Sequence, residues 1–167
     1  MSVLDILHWP DARLSMACAA IPEITPEVKD LAADMLETMY AAPGRGLAGP
    51  QVGAILRIFV MDTTWKDGVP DPMVFINPIV DGHSDTQVEN FEGCLSIPAL
   101  SVLVSRPNCV HLAWTSLDGA ANKQAFEGFA AACIQHEMDH LNGIVTLDHL
   151  SAADRAGLLA GYQGIGT

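Results

Sequence analysis

The chain predicts an α+β fold in which mainly antiparallel sheets surround a central helix. Three observations carry this. Helical apolar spacing is confined to blocks towards the two ends, and the stretch between them is a succession of short β-branched or aromatic runs separated by Gly, Pro, Asp or Asn. No repeat, low-complexity tract or linker interrupts the 167 residues, so residues 1–167 read as a single domain with one core.

Taken in order, Thr25-Pro26 reads as an N-cap followed by the first helical residue. Val28, Leu31, Ala32, Met35, Leu36 and Met39 then recur at helical spacing and predict an amphipathic helix over 26–42. Gly44, Gly46, Gly49 and Pro50 end it in a loop or edge strand. Strands are predicted over 56–61, 73–80, 87–92, 102–105 and 110–116, with a weaker one over 123–127. Helical spacing returns over 128–141 and Gly143 offers a stop. Phe129, Ala132, Cys133, His136 and His140 share one side of this helix. Ala130, Ala131 and Ile134 make the other side apolar too, which places the helix centrally. A last helix runs from Ser151 to Leu159.

Eight basic residues against twenty acidic give a formal charge of −12. This argues against a nucleic-acid partner, whose binding rests on clustered Lys and Arg. No apolar run approaches the ~20 residues that span a bilayer. Met1 to Pro10 contain Asp5 and no Lys or Arg, unlike a secretory signal, so a cytoplasmic location is expected. Cys18, Cys94, Cys109 and Cys133 are widely spaced, which does not suit a disulfide framework.

The chemistry concentrates in His136-Glu137-Met138-Asp139-His140. Residues i and i+4 of a helix point the same way, so two imidazoles converge on one point while Glu137 stands beside them as a proton acceptor. A catalytic site needs a third protein ligand. The histidine expected in one protease class is replaced by Thr146, and no Glu follows Glu137 for another. Asp148 and His149 remain candidates. So does Cys94, within Glu92-Gly93-Cys94-Leu95-Ser96, although an average free cysteine is simply a small buried apolar residue. Gly44-Arg45-Gly46-Leu47-Ala48-Gly49-Pro50-Gln51 lacks the ending of a phosphate loop. Its Gln51 offers an uncharged donor to a developing oxyanion.

Together these three segments resemble the peptide deformylase family, with Gly-x-Gly-x-Ala-Ala-x-Gln, Glu-Gly-Cys-Leu-Ser and Gln-His-Glu-x-Asp-His in this order. Similarity extends through Ile6-Leu7, Pro10 to Leu14, Arg106-Pro107 and Asp118-Gly119. The resemblance implies hydrolysis of the formyl group of N-formyl-methionyl peptides to formate. It implies one divalent metal, naturally Fe(II) and replaceable by Zn, Ni or Co, on Cys94, His136 and His140. Glu137 becomes the general base and acid, and Gln51 with the Leu95 N–H becomes the oxyanion donor pair. Arg45, Gly46, Glu92, Gly93, Phe129 and Cys133 are expected at the substrate, with Ala132 as a further wall of the methionine pocket.

Three departures stand out. Gly49 replaces the usual second Ala and is expected to loosen its loop. Arg45 stands where an apolar residue is usual, and Ser101 where an Arg often holds the peptide. Arg155 is the only Lys or Arg after His140, so the basic C-terminal element that docks some members on the ribosome is not expected. These changes leave a different N-formyl substrate, or a catalytically retired copy, as alternatives.

Overall fold

A computed structural model describes residues 2–162. Helix α1 spans Pro26–Ala41, and the Thr25 hydroxyl accepts from the Val28 N–H at its start. Strands follow at β1 Gly46–Ala48, β2 Ile58–Met61, β3 Met73–His83, β4 Gln87–Cys94, β5 Ile97–Pro107, β6 Cys109–Thr115 and β7 Ala121–Glu127. Helix α2 spans Gly128–Leu141 and α3 spans Ala152–Leu159.

Five strands form one antiparallel sheet in the order β1-β2-β3-β6-β7, and β4 and β5 pair as a separate hairpin. The period of two along β2 explains the layering. Ile58 and Val60 face α1, where Ala32, Met35 and Met39 cover them. Phe59 faces α2 and packs with Phe75, Ala131, Ile134 and Leu141. With both faces covered, all four residues of β2 are buried. The apolar face of α2 thus rests on the sheet, while the side carrying His136 turns towards the β4–β5 hairpin.

The hairpin has its own inner face. Ile97, Val102 and Val104 pack with Leu14, Val145 and Leu147. The four-residue strand expected over 102–105 is in fact eleven residues long. Pro98 and Pro107 read as boundaries in the sequence, yet both sit at the ends of the hairpin, where a missing N–H is tolerated. The strand expected from Leu56 starts at Ile58, because Leu56 forms an isolated parallel bridge with Ala19. The weakest strand, β7, buries only Phe126 and is defined by its ladder to β6. The last residues of the short tail, 163–167, lie outside the described residues. Among the described residues no helix is long and apolar enough to cross a membrane.

Candidate active site

The C-terminal half of α2 places His136 and His140 one above the other, with ring centroids 5.0 Å apart. The end of β4 brings Cys94 to them. One ligand atom from each of the three residues lies within 4.8 Å of the others. The Cys94 Sγ is 3.4 Å from the His140 Nε2. In a tetrahedral site, metal–sulfur and metal–nitrogen bonds of about 2.3 and 2.0 Å put the two ligand atoms roughly 3.5 Å apart, so the spacing suits one shared cation. A thiolate with two imidazoles is also a donor set for a divalent transition metal. His149 and Asp148, the other candidate ligands, do not join the cluster: His149 bonds Asp139 and Asp148 bonds Arg155.

Behind the histidines lies a chain of charges. His136 Nδ1 meets Glu92 Oε1 at 3.0 Å, which leaves Nε2 free for a ligand role. Arg106 donates to both Glu92 oxygens, at 2.7 and 2.9 Å, and to Asp139 at 3.0 Å. Burial alone would raise the Glu92 pKa, but the Arg106 guanidinium and the His136 ring outweigh it and hold it at about 2. Glu92, expected at the substrate, lines the cleft, but its carboxylate is already committed to His136 and Arg106. His140 is held well below its ordinary pKa by burial and by the neighbouring His136, and so is a neutral imidazole.

Glu137 is different. It is 3 % exposed, and its Oε1 is buried without a hydrogen-bond partner. Burial pushes its pKa up to about 7. Beside it runs β1, and a Cβ on Gly46 would lie 2.5 Å from the Glu137 Oε2 and 2.8 Å from the Cys133 Sγ. Only glycine lets this backbone come so close. Gln51 is buried in the 3-10 turn that follows β1. Its Oε1 accepts from the Ala48 N–H at 2.9 Å, which turns Nε2 towards Ser96 Oγ at 3.0 Å and Cys94 Sγ at 3.7 Å. The N-terminal segment braces both sides, with the Leu7 N–H donating to the Gln51 carbonyl and the Trp9 N–H to that of Ser96. Gly49 does not loosen this loop as expected. A Cβ there would lie 2.6 Å from the Ala54 carbonyl oxygen, so the chain packs too tightly to admit alanine.

A cleft of about 1160 Å³ opens over the cluster. Gln51, Cys94, Leu95, His136 and Glu137 line it, with Arg45, Gly46, Gly93, Ser101, Phe129, Ala132 and Cys133 around them. Cys133 is buried, with its thiol pKa pushed well up by burial and by Glu137. Sequence reasoning missed Ser96, Arg106 and Asp139 as supports, and His8 also lines the cleft. Asp139 stood inside the histidine motif and was the one available signal; the spacing of Glu92, Arg106 and Asp139 follows no local period.

The family model for polypeptide deformylase matches residues 3–156. The chain belongs to the polypeptide deformylase family. A peptide deformylase of Rhodopseudomonas palustris is 42% identical over 165 residues, covering 98% of this chain and 94% of the relative. One from Acinetobacter baumannii is 45% identical over 155 residues, covering 93% and 87%. Among solved structures, the Ehrlichia chaffeensis peptide deformylase in complex with actinonin superposes with a TM-score of 0.90 at 36% identity, over 96% of this chain and 95% of that one. The Synechococcus elongatus deformylase–actinonin complex gives 0.90 at 35%, over 94% and 86%. The chain is thus a metal-dependent hydrolase of the class that removes the N-formyl group from nascent polypeptides.

Proposed function

We propose that this deformylase uses Fe(II), held by Cys94, His136 and His140, and that Glu137 moves the proton of the reaction. The observation that carries the reading is the juxtaposition of three convergent donors with a buried carboxylate that has an unpartnered oxygen. A divalent cation bound there supplies Lewis-acid charge for a water nucleophile and for the formyl oxygen.

The remaining work falls to the chain. Glu137, buried beside the donors with an unpartnered oxygen, takes a proton from the attacking water and returns it. Attack on the formyl carbon converts its carbonyl oxygen to an oxyanion. Gln51 Nε2, oriented by its bond from Ala48, and the backbone N–H of Leu95 are the donors to that oxygen. Cleavage of the C–N bond releases formate, and Glu137 delivers its proton to the leaving amine nitrogen. Phe129, Ala132 and Cys133 supply apolar wall for the methionine side chain, and the Gly46 backbone sets its approach to Glu137. Glu92 and Arg106 keep His136 in one tautomer without touching substrate.

The test is formate release from formyl-Met-Ala-Ser by anaerobically prepared protein, with metal content measured alongside. One iron per chain and rapid release are expected, with both lost in Cys94→Ser. Full activity in a preparation that contains only zinc would overturn the Fe(II) assignment.

A further inference from the structure

The chain carries eight Lys and Arg against twenty Asp and Glu. Arg13, Arg106, Lys123 and Arg155 each hold a carboxylate. Arg57 is bonded to the Leu141 carbonyl and the Asn142 side chain at the end of α2. Lys29, Arg45 and Lys66 have no carboxylate partner among the described residues. Two of these three, Arg45 and Lys66, line the cleft. The acids are distributed in the opposite sense. Among the described residues only Glu92 and Glu137 line it, the first committed to Arg106 and the second buried.

Both cations are placed against aromatic faces. The Arg45 guanidinium carbon lies 5.3 Å from the centroid of Phe129, and the Lys66 ammonium 5.6 Å from that of Trp65. Trp65 is itself fixed: its indole N–H donates to the Gly44 carbonyl at 2.8 Å, and it meets Tyr40 edge-on at 5.2 Å. Stacking orients a cation without using its N–H donors, so these remain available to a ligand. Arg45 immediately precedes Gly46, the residue whose backbone abuts Glu137. Its guanidinium stacks on Phe129, which lines the same cleft.

We propose that Arg45 and Lys66 make the mouth of the cleft carboxylate-selective. The favoured substrates are formyl-methionyl peptides with a carboxylate among the first residues after the formylated one. The inference rests on the deformylase reading. A carboxylate near the formylated end of a bound peptide meets complementary charge at the mouth, which favours its orientation there. The carboxylate comes either from an Asp or Glu side chain or from the free terminus of a short peptide.

Four substrates separate these sources: formyl-Met-Asp-Ser amide, formyl-Met-Lys-Ser amide, formyl-Met-Ala-Ser amide and formyl-Met-Ala-Ser with a free terminus. At low ionic strength the wild type is expected to show kcat/KM roughly ten-fold higher for the Asp peptide than for the Lys peptide, a ratio set by one half-buried and one exposed cation. The ratio should shrink towards one at about 0.5 M salt, where screening is short-ranged. An advantage of the free terminus over its amide identifies that second source. In Arg45→Gln/Lys66→Gln the Asp-to-Lys ratio should collapse, and Arg45→Lys should retain most of it. Each ratio is internal to one protein and does not depend on how much of a variant is folded. Turnover of all four peptides with no preference for a carboxylate, or a preference that persists in the double variant, would overturn the proposal alone. No formate from any of them would overturn the deformylase reading together with it.

Discussion

Two carboxylates flank the same cluster of donors and are held in opposite ways. Glu92, on the hairpin side, gives its oxygens to Arg106 and His136 and is held at about pKa 2. Glu137, on the β1 side, has an oxygen with no partner and is pushed up to about 7 by burial. In the proposed reading the first arrangement fixes a metal ligand, and the second keeps a proton acceptor ready. Environment, not residue type, divides the roles.

The largest break in this contrast should come from Arg106→Ala. It leaves Glu92 and Asp139 without their counter-charge, and removing one partner of a buried ion pair typically costs about 3–5 kcal/mol. Chemical denaturation of the metal-free protein measures it. Gln51→Ala should raise the barrier by ~3 kcal/mol, a loss of roughly two orders of magnitude in kcat with metal content unchanged, if Nε2 serves the oxyanion.

Acid titration of stability should separate the two carboxylates by sign. Glu92 has a folded-state pKa below its ordinary 4.5, so its contribution of about 3 kcal/mol is present above pH 4.5 and lost as pH falls towards 2. Glu137 has a raised folded-state pKa, so metal-free protein loses stability as pH rises from 4.5 to about 7. Glu137→Gln should therefore stabilise metal-free protein at pH 8, by up to ~3 kcal/mol, with the gain vanishing below pH 4.5. The smallest effect on stability is expected from Gly46→Ala. The added methyl meets Glu137 and Cys133 side chains rather than backbone, so the fold should lose about 1–3 kcal/mol while turnover falls disproportionately.

Much of this was readable from the chain. The i, i+4 histidines and the apolar spacing of α2 imposed one helix with a histidine face and a packing face, and the structure has both. β2 was legible because its residues are β-branched or aromatic and packed on both sides. β5 was not, because Pro98 and Pro107 mark hairpin ends with the same residue that marks turns. The Glu92–Arg106–Asp139 network was hidden for a different reason: it joins the two arms of one hairpin to a helix remote in sequence, and only the tertiary fold gives it a pattern. Gly49 was misread because its need for glycine comes from the Ala54 carbonyl, a contact no local rule describes.

The central claim is that Glu137 handles the proton while the three donors hold the metal without it. Metal content and formate release measured together on anaerobically prepared Glu137→Gln test this most directly. Glutamine keeps the shape but cannot accept the proton, so the account predicts one metal per chain, as in the wild type, with kcat lowered by about 10²- to 10⁴-fold. Turnover within a few-fold of the wild type, with metal bound, would contradict it.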